Sequence, residues 1–350
     1  MTLYFYSSLF LTLIIFFVVV EKKKIKVKRD NIYVFLASVL TLIASFRWGV
    51  GGDWSSYLAT YELDNYTLQN LRWSFFFKFL NLLFSYFGTG IFGVNLFVAS
   101  MFFFALYKIG KTLKFDMILL ILICFSLIYF NGIMGYVRQT LCLSFIMLSF
   151  DYLLRKKPNL STLFFLFAVT THVTTLVFAP IFIILQIKNF HRLIICLILI
   201  AFITFTASDL LIITFNEFVN KERFSAGSIY RSLPLILCCI VYLLFRKKII
   251  TNSKDFNFVL DYLLILSIFL ILIIFFIPKI SALADRFSFY SIIFQIYVIG
   301  TFFSKIIKNN SKIYMHSVIF VSISYFLITY AWFIFGDYSV YWLDYKFYIQ

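Results

Sequence analysis

Three arginines stand where polar residues meet long apolar runs: Arg47 begins RWGVGGDWSSY, Arg138 lies in GYVRQT and Arg286 in ADRFSFY. A planar guanidinium grips phosphate oxygens through two parallel N–H bonds and keeps its charge when partly dehydrated. An ionisable group at membrane depth costs roughly 2.5 kcal/mol or more when unpaired, so such positions need a partner. The group of arginines points to an anionic ligand. For any one of them, pairing with Asp53, Glu62, Asp64, Glu222 or Asp285 serves as well. His172 sits in AVTTHVTTLV with threonines at 170, 171, 174 and 175. A neutral imidazole there can take a proton from a hydroxyl nucleophile. It can equally be a hydrogen-bonding residue of the turn, and Asp53 is the competing base. Gly49, Gly51 and Gly52 permit a helix to end and a ligand to lie against the chain, with exposed amides that help bind an anion. The alternative is a plain loop. Asp53, Ser55, Ser56 and Tyr57 beside them carry the donors and acceptors that sugars require.

The elements that must position these residues follow from composition. The chain of 350 residues is 63% hydrophobic and 13% charged. Its apolar runs, 15 to 20 residues free of charge, are membrane-spanning in length. Backbone groups in lipid must bond internally, and the runs lack the alternation of a barrel, so the expected fold is all-α, a polytopic helical bundle. About twelve spans are expected, at 2–20, 31–46, 91–109, 117–132, 137–154, 160–172, 174–187, 193–215, 233–245, 258–277, 287–304 and 313–333. The first lacks a basic leader and a cleavage site, and reads as a retained helix. Residues 73–87, interrupted by Lys78 and Asn81, read as an interfacial or re-entrant helix on the outer side. Residues 1–350 form one expected membrane domain, with 47–90 as an external loop that carries this helix.

Placing EKKKIKVKRD in the cytoplasm puts the basic loops near 108–114, 155–158, 188–192, 246–254 and 305–312 on the same side. Of 21 lysines, 17 then lie inside, whereas six of ten arginines lie outside: Arg47, Arg72, Arg138, Arg223, Arg231 and Arg286. Lysine follows the topology rule and arginine does not. The five cysteines fall within spans and show no zinc or disulfide spacing.

Taken in order, RWGVGGDWSSYLATYE, GYVRQTLCLSF, THVTTLV and DRFSFY resemble the EpsG family of bacterial polysaccharide polymerases, relatives of the Wzy O-antigen polymerases, from about residue 30 to 300. Gly51-Gly52-Asp53 departs from the single glycine and small residue expected before the aspartate. The resemblance implies an enzyme of the bacterial cytoplasmic membrane whose site faces the periplasm or exterior. Its substrate would be an oligosaccharide joined by diphosphate to a polyprenyl lipid, and the growing glycan would pass to a hydroxyl of an incoming unit with inversion. Arg138, Arg286 and Arg47 are the candidates for binding diphosphate, His172 and Asp53 for catalysis. Arg72, Arg223, Arg231, Tyr57, Gln139 and Tyr290 are further candidates for substrate contact. No cofactor, metal or nucleic acid is called for, and a chain-length regulator is a candidate partner. A flippase for lipid-linked sugars and a lipid-diphosphate-dependent ligase are the competing readings. The nearly charge-free span interiors and the absence of a large outer domain speak against each.

Overall fold

A computed structural model describes residues 2–23, 28–64, 74–186, 194, 198, 216–220, 222, 225, 227–307, 311–336 and 339–347. The fold is an all-α polytopic membrane bundle. Among the described residues eight helices are long and apolar enough to cross a membrane: Thr2–Lys22, Gly90–Leu113, Met117–Gly135, Val137–Leu154, Gly227–Ile249, Lys254–Phe276, Pro278–Ile307 and Lys312–Phe335. Three expected spans are shorter helices: α2 (Arg29–Ser45, 17 residues), α8 (Pro158–Thr171, 14 residues) and the apolar helix Thr174–Leu185. The expected span 193–215 lies outside the described residues apart from Ile194 and Ile198. Two spans begin earlier than expected, at Gly227 and Pro278, so Arg231 and Arg286 belong to helices rather than to the loops before them.

Side-chain contacts order the helix ends into two groups. At one end Arg29, which opens α2, bonds Glu21 of α1 (Thr2–Lys23) and Asp116, the N-cap of α6 (Met117–Cys124). Lys111, near the end of α5 (Gly90–Leu113), reaches Asp30 at 2.8 Å. Arg155 pairs with the fully buried Asp151 of α7 (Val137–Leu154) at 3.0 Å. This end carries basic residues matched to carboxylates. At the other end, Thr2 accepts from the Tyr345 amide, the Tyr345 hydroxyl donates to Ile43 O at 2.8 Å, and the Trp342 indole donates to Phe130 O at 3.1 Å.

Helices apolar all round belong at a bundle's centre, and α6 and α7 occupy it. Met117 to Cys124 and Leu141 to Phe150 are buried on every face. Asp116 caps α6 by accepting from the Ile118 and Leu119 amides, at 3.0 and 3.4 Å. From Phe125 to Gly135 the same helix widens into a π-helix, a rare form that concentrates at functional sites. Residues 73–87 contain α4 (Phe75–Tyr86), whose 12 residues span about 18 Å, short of a hydrocarbon core. Its Phe76 ring packs on Phe145 and Phe167 at 5.3 and 5.2 Å, and its Lys78 and Asn81 are buried.

Candidate active site

The glycine-rich loop joins α2 to α3 (Trp54–Asp64) at the end opposite the basic one. Gly51 holds a φ of +115° and its amide donates to Tyr341 O at 2.9 Å, while a side chain there would meet the Met134 carbonyl. A Cβ on Gly52 would come 2.8 Å from the Trp342 ring. These glycines let the C-terminal segment 339–347 close on the π-helix, and a short antiparallel pair, Arg47↔Phe347 and Trp48↔Lys346, completes the clasp. The space expected for a ligand against the loop is filled by the protein's own chain.

Arg47 belongs to that clasp. It is 1% exposed, and its guanidinium donates to Ala44 O, to Val50 O at 3.1 Å and to Asn95 Oδ1 at 3.4 Å, with Trp54 beneath it at 5.5 Å. Burial brings its pKa down to about 10. The cation ties the end of α2 to the loop, so the expectation that it meets a ligand phosphate is not what the geometry offers.

Asp53, Tyr57, Arg138, His172 and Arg286 come together from four separate segments. Tyr57 is one turn into α3 from Asp53; its amide bonds Asp53 O at 2.9 Å and its hydroxyl bonds the carboxylate. Arg138, second residue of α7, lies over the Tyr57 ring at 5.3 Å and the Phe77 ring at 6.0 Å, and its Nε is buried without a hydrogen-bond partner. Two ring faces fix the guanidinium while leaving a donor unused. Burial raises the Asp53 carboxyl above its usual value, against the pull of Arg286, Arg138 and the Tyr57 hydroxyl. Burial also moves the Tyr57 hydroxyl up to about 12, although Arg138 opposes it.

His172 ends α8 in an extended conformation and caps the 3-10 turn Val173–Phe178. Its Nδ1 accepts from the Thr174 amide at 3.3 Å and contacts Thr174 Oγ1 at 2.7 Å, which in turn meets the Tyr290 hydroxyl at 2.7 Å. A backbone amide can only donate, so the neutral ring carries its proton on Nε2. Burial, and then Arg138 and Arg286, hold its pKa down to about 3. The neighbouring Thr170, Thr171 and Thr175 bond backbone carbonyls and do not join this relay. Tyr290 is fully buried with its hydroxyl on Thr174, so it supports the histidine rather than facing a ligand.

Beside this group opens a cleft. Arg286, Arg231, Asp285, Tyr136 and Gln139 line it, and it runs inward along the π-helix to Ser126, Gln295 and Thr329. Arg231 is bound through Nε and Nη2 to Asp285, with a further bond to Ser225 Oγ at 3.1 Å. Its charge is matched by Asp285, and Arg286 is the next residue in the chain. Among the described residues no group of three or more His, Cys, Asp or Glu is placed to hold a metal ion. Arg72 and Arg223 lie outside the described residues.

The EpsG family matches this chain from residue 30 to 347. The chain belongs to the EpsG family. No curated protein and no solved structure matches it. The EpsG match reaches from α2 to the short strand Lys346–Phe347, so it takes in the clasp at 339–347 as well as every residue of the cluster. Sequence reading passed over that C-terminal segment, the π-helix and the cleft residues Asn131 and Gln295. The cluster Tyr341-Trp342-Leu343-Asp344-Tyr345 after the last span was the available signal, because such aromatic residues gather at a membrane boundary.

Proposed function

We propose that this protein is a polysaccharide polymerase that joins polyprenyl-diphosphate-linked oligosaccharide units on the outer leaflet of the bacterial cytoplasmic membrane. Membership of the EpsG family supports a polymerase-like glycosyltransferase role. The observation that carries the finer reading is the meeting of Arg138, Arg286, Asp53 and His172 at one end of the bundle, beside a cleft.

The donor diphosphate binds at Arg286 and Arg138, whose positive charge meets the charge that develops as the glycosyl–oxygen bond breaks. The start of α7 adds the positive end of a helix dipole at Arg138. Asp53 takes the proton of the acceptor hydroxyl, because burial raises its carboxyl above the usual value while His172, held down to about 3, is the weaker base. His172 instead offers its Nε2–H as a donor, in the tautomer that Thr174 fixes. The acceptor oxygen bonds the anomeric carbon, the diphosphate leaves with the electron pair, and the proton rests on Asp53. A single displacement inverts that carbon. Arg47 organises the loop before Asp53, and Arg231 shapes the cleft wall together with Asp285.

Purified protein incubated with lipid-linked repeat units should give a ladder of products on a gel. Arg138→Lys and Arg286→Lys should each slow its growth by about a hundredfold, the loss typical of one donor to a developing anion. Full activity in both variants would refute the diphosphate site.

A further inference from the structure

Resting on that reading, we propose that the inward limb of the cleft is a saccharide pocket, in which carboxamide side chains read the hydroxyls of a neutral sugar. Gln295 is 3% exposed, lines the cleft, and its Oε1 has no hydrogen-bond partner. Gln139, 5% exposed, and the half-buried Asn131 line the same space. Buried amides are almost always bonded, so unused capacity on one cavity wall marks a ligand that supplies donors and acceptors. A hydrocarbon chain supplies neither. An isoprenoid seated there would leave each amide stripped of water without replacement, which opposes its binding.

Charge narrows the class. Arg231 is matched by Asp285, so the wall beneath Arg286 presents no spare charge, and an acidic sugar gains nothing there. Tyr136 and Phe289 set two perpendicular rings, 6.1 Å apart, on the cleft, with faces suited to the C–H side of a pyranose. From Arg286 to Gln295 the helix rises roughly 14 Å. A sugar joined to a diphosphate held at Arg286 can therefore enter the limb, which places the polymer's first sugar inside the bundle.

The test uses full-length protein in nanodiscs and, as the probe, the free oligosaccharide that mild acid releases from the lipid-linked units. Saturation-transfer NMR should show it bound to the wild type, with geranylgeraniol failing to displace it. Gln295→Leu and Gln139→Leu should each weaken binding about tenfold, the effect of losing one sugar hydrogen bond. Unchanged thermal unfolding in at least one variant shows that the fold is kept. Equal binding by both variants, no binding by the wild type, or displacement by geranylgeraniol would overturn the pocket. Sugar binding by a protein that builds no ladder would leave the pocket standing and remove the polymerase. A ladder with sugar binding indifferent to both glutamines would do the reverse.

Discussion

Asp53→Asn and His172→Gln separate two assignments of the proton acceptor. Asparagine keeps the shape of Asp53 and an oxygen for the Tyr57 hydroxyl, but it cannot hold a proton. A positioned general base contributes about 10²- to 10⁴-fold, equivalent to about 3–5.5 kcal/mol of barrier, and Asp53→Asn should lose an amount in that range. Glutamine at 172 can still accept from the Thr174 amide and present an N–H outward, so His172→Gln should cost no more than about tenfold. Single-turnover elongation of one lipid-linked unit by another, read on gels, measures both.

The pH dependence supplies an independent arm. Asp53 must be ionised to act, and its carboxyl is raised by burial, so activity should fall as pH drops through a midpoint above the ordinary carboxylate range. Asp53→Asn should remove this acid limb along with the rate. His172, neutral down to about 3, should leave no limb near neutrality. A wild-type midpoint near 6.5 that disappears in His172→Gln, with Asp53→Asn almost fully active, would refute the assignment and return the base to the histidine.

Other perturbations test the frame around the site. Because the folded pKa of His172 is about 3 against an ordinary 6.5, its neutral form contributes stability that is complete above 6.5 and declines as pH falls toward 3. His172→Gln should flatten that stretch of the melting-temperature profile. Gly51→Ala forces a side chain into the Met134 carbonyl at a φ of +115°, and should destabilise by about 1–3 kcal/mol, seen as lower thermal stability in detergent. Trp342→Ala removes a buried ring and its bond to Phe130 O, with an expected loss of about 3–5 kcal/mol. Asp285→Asn strands the Arg231 guanidinium, and adding Arg231→Gln should recover part of the lost stability; strict additivity of the two would show that the pair is uncoupled.

The helices were legible because hydrocarbon length is written in runs of apolar residues, and their ends because basic residues sort to one side. The site was legible only in part. Asp53, Arg138, His172 and Arg286 lie up to 233 positions apart in the chain, yet each stood out as polar at the end of an apolar run. Arg47 stood out by the same signal and went elsewhere, since a guanidinium tied by the carbonyls of its own loop looks identical in sequence to one left for a ligand. The glycines misled in the same manner. A close approach was rightly expected at Gly51 and Gly52, but what approaches is Trp342 and Met134, far along the chain. Gln295 gave no signal, because one amide in an apolar helix says nothing about whether its partner is a neighbour or a ligand.

In the proposed reaction, the placing of Asp53 beside Arg138 and Arg286 lets one site serve both substrates. Asp53 lies in the field of Arg138 and Arg286, so its carboxylate offsets part of their charge, while His172 stays neutral. In the proposed reaction the acceptor hydroxyl gives its proton to Asp53, that offset disappears, and the net positive charge around the site rises by one. The leaving diphosphate gains one negative charge in the same step. The positive field therefore strengthens as the charge it must stabilise appears, and it binds the starting diester less than the product of bond breaking, which is the condition for lowering the barrier. Arg47 and Arg231, already matched by carbonyls and by Asp285, leave this balance undisturbed. Releasing the Arg231 guanidinium, as Asp285→Asn does, should tighten binding of the diphosphate and slow its release.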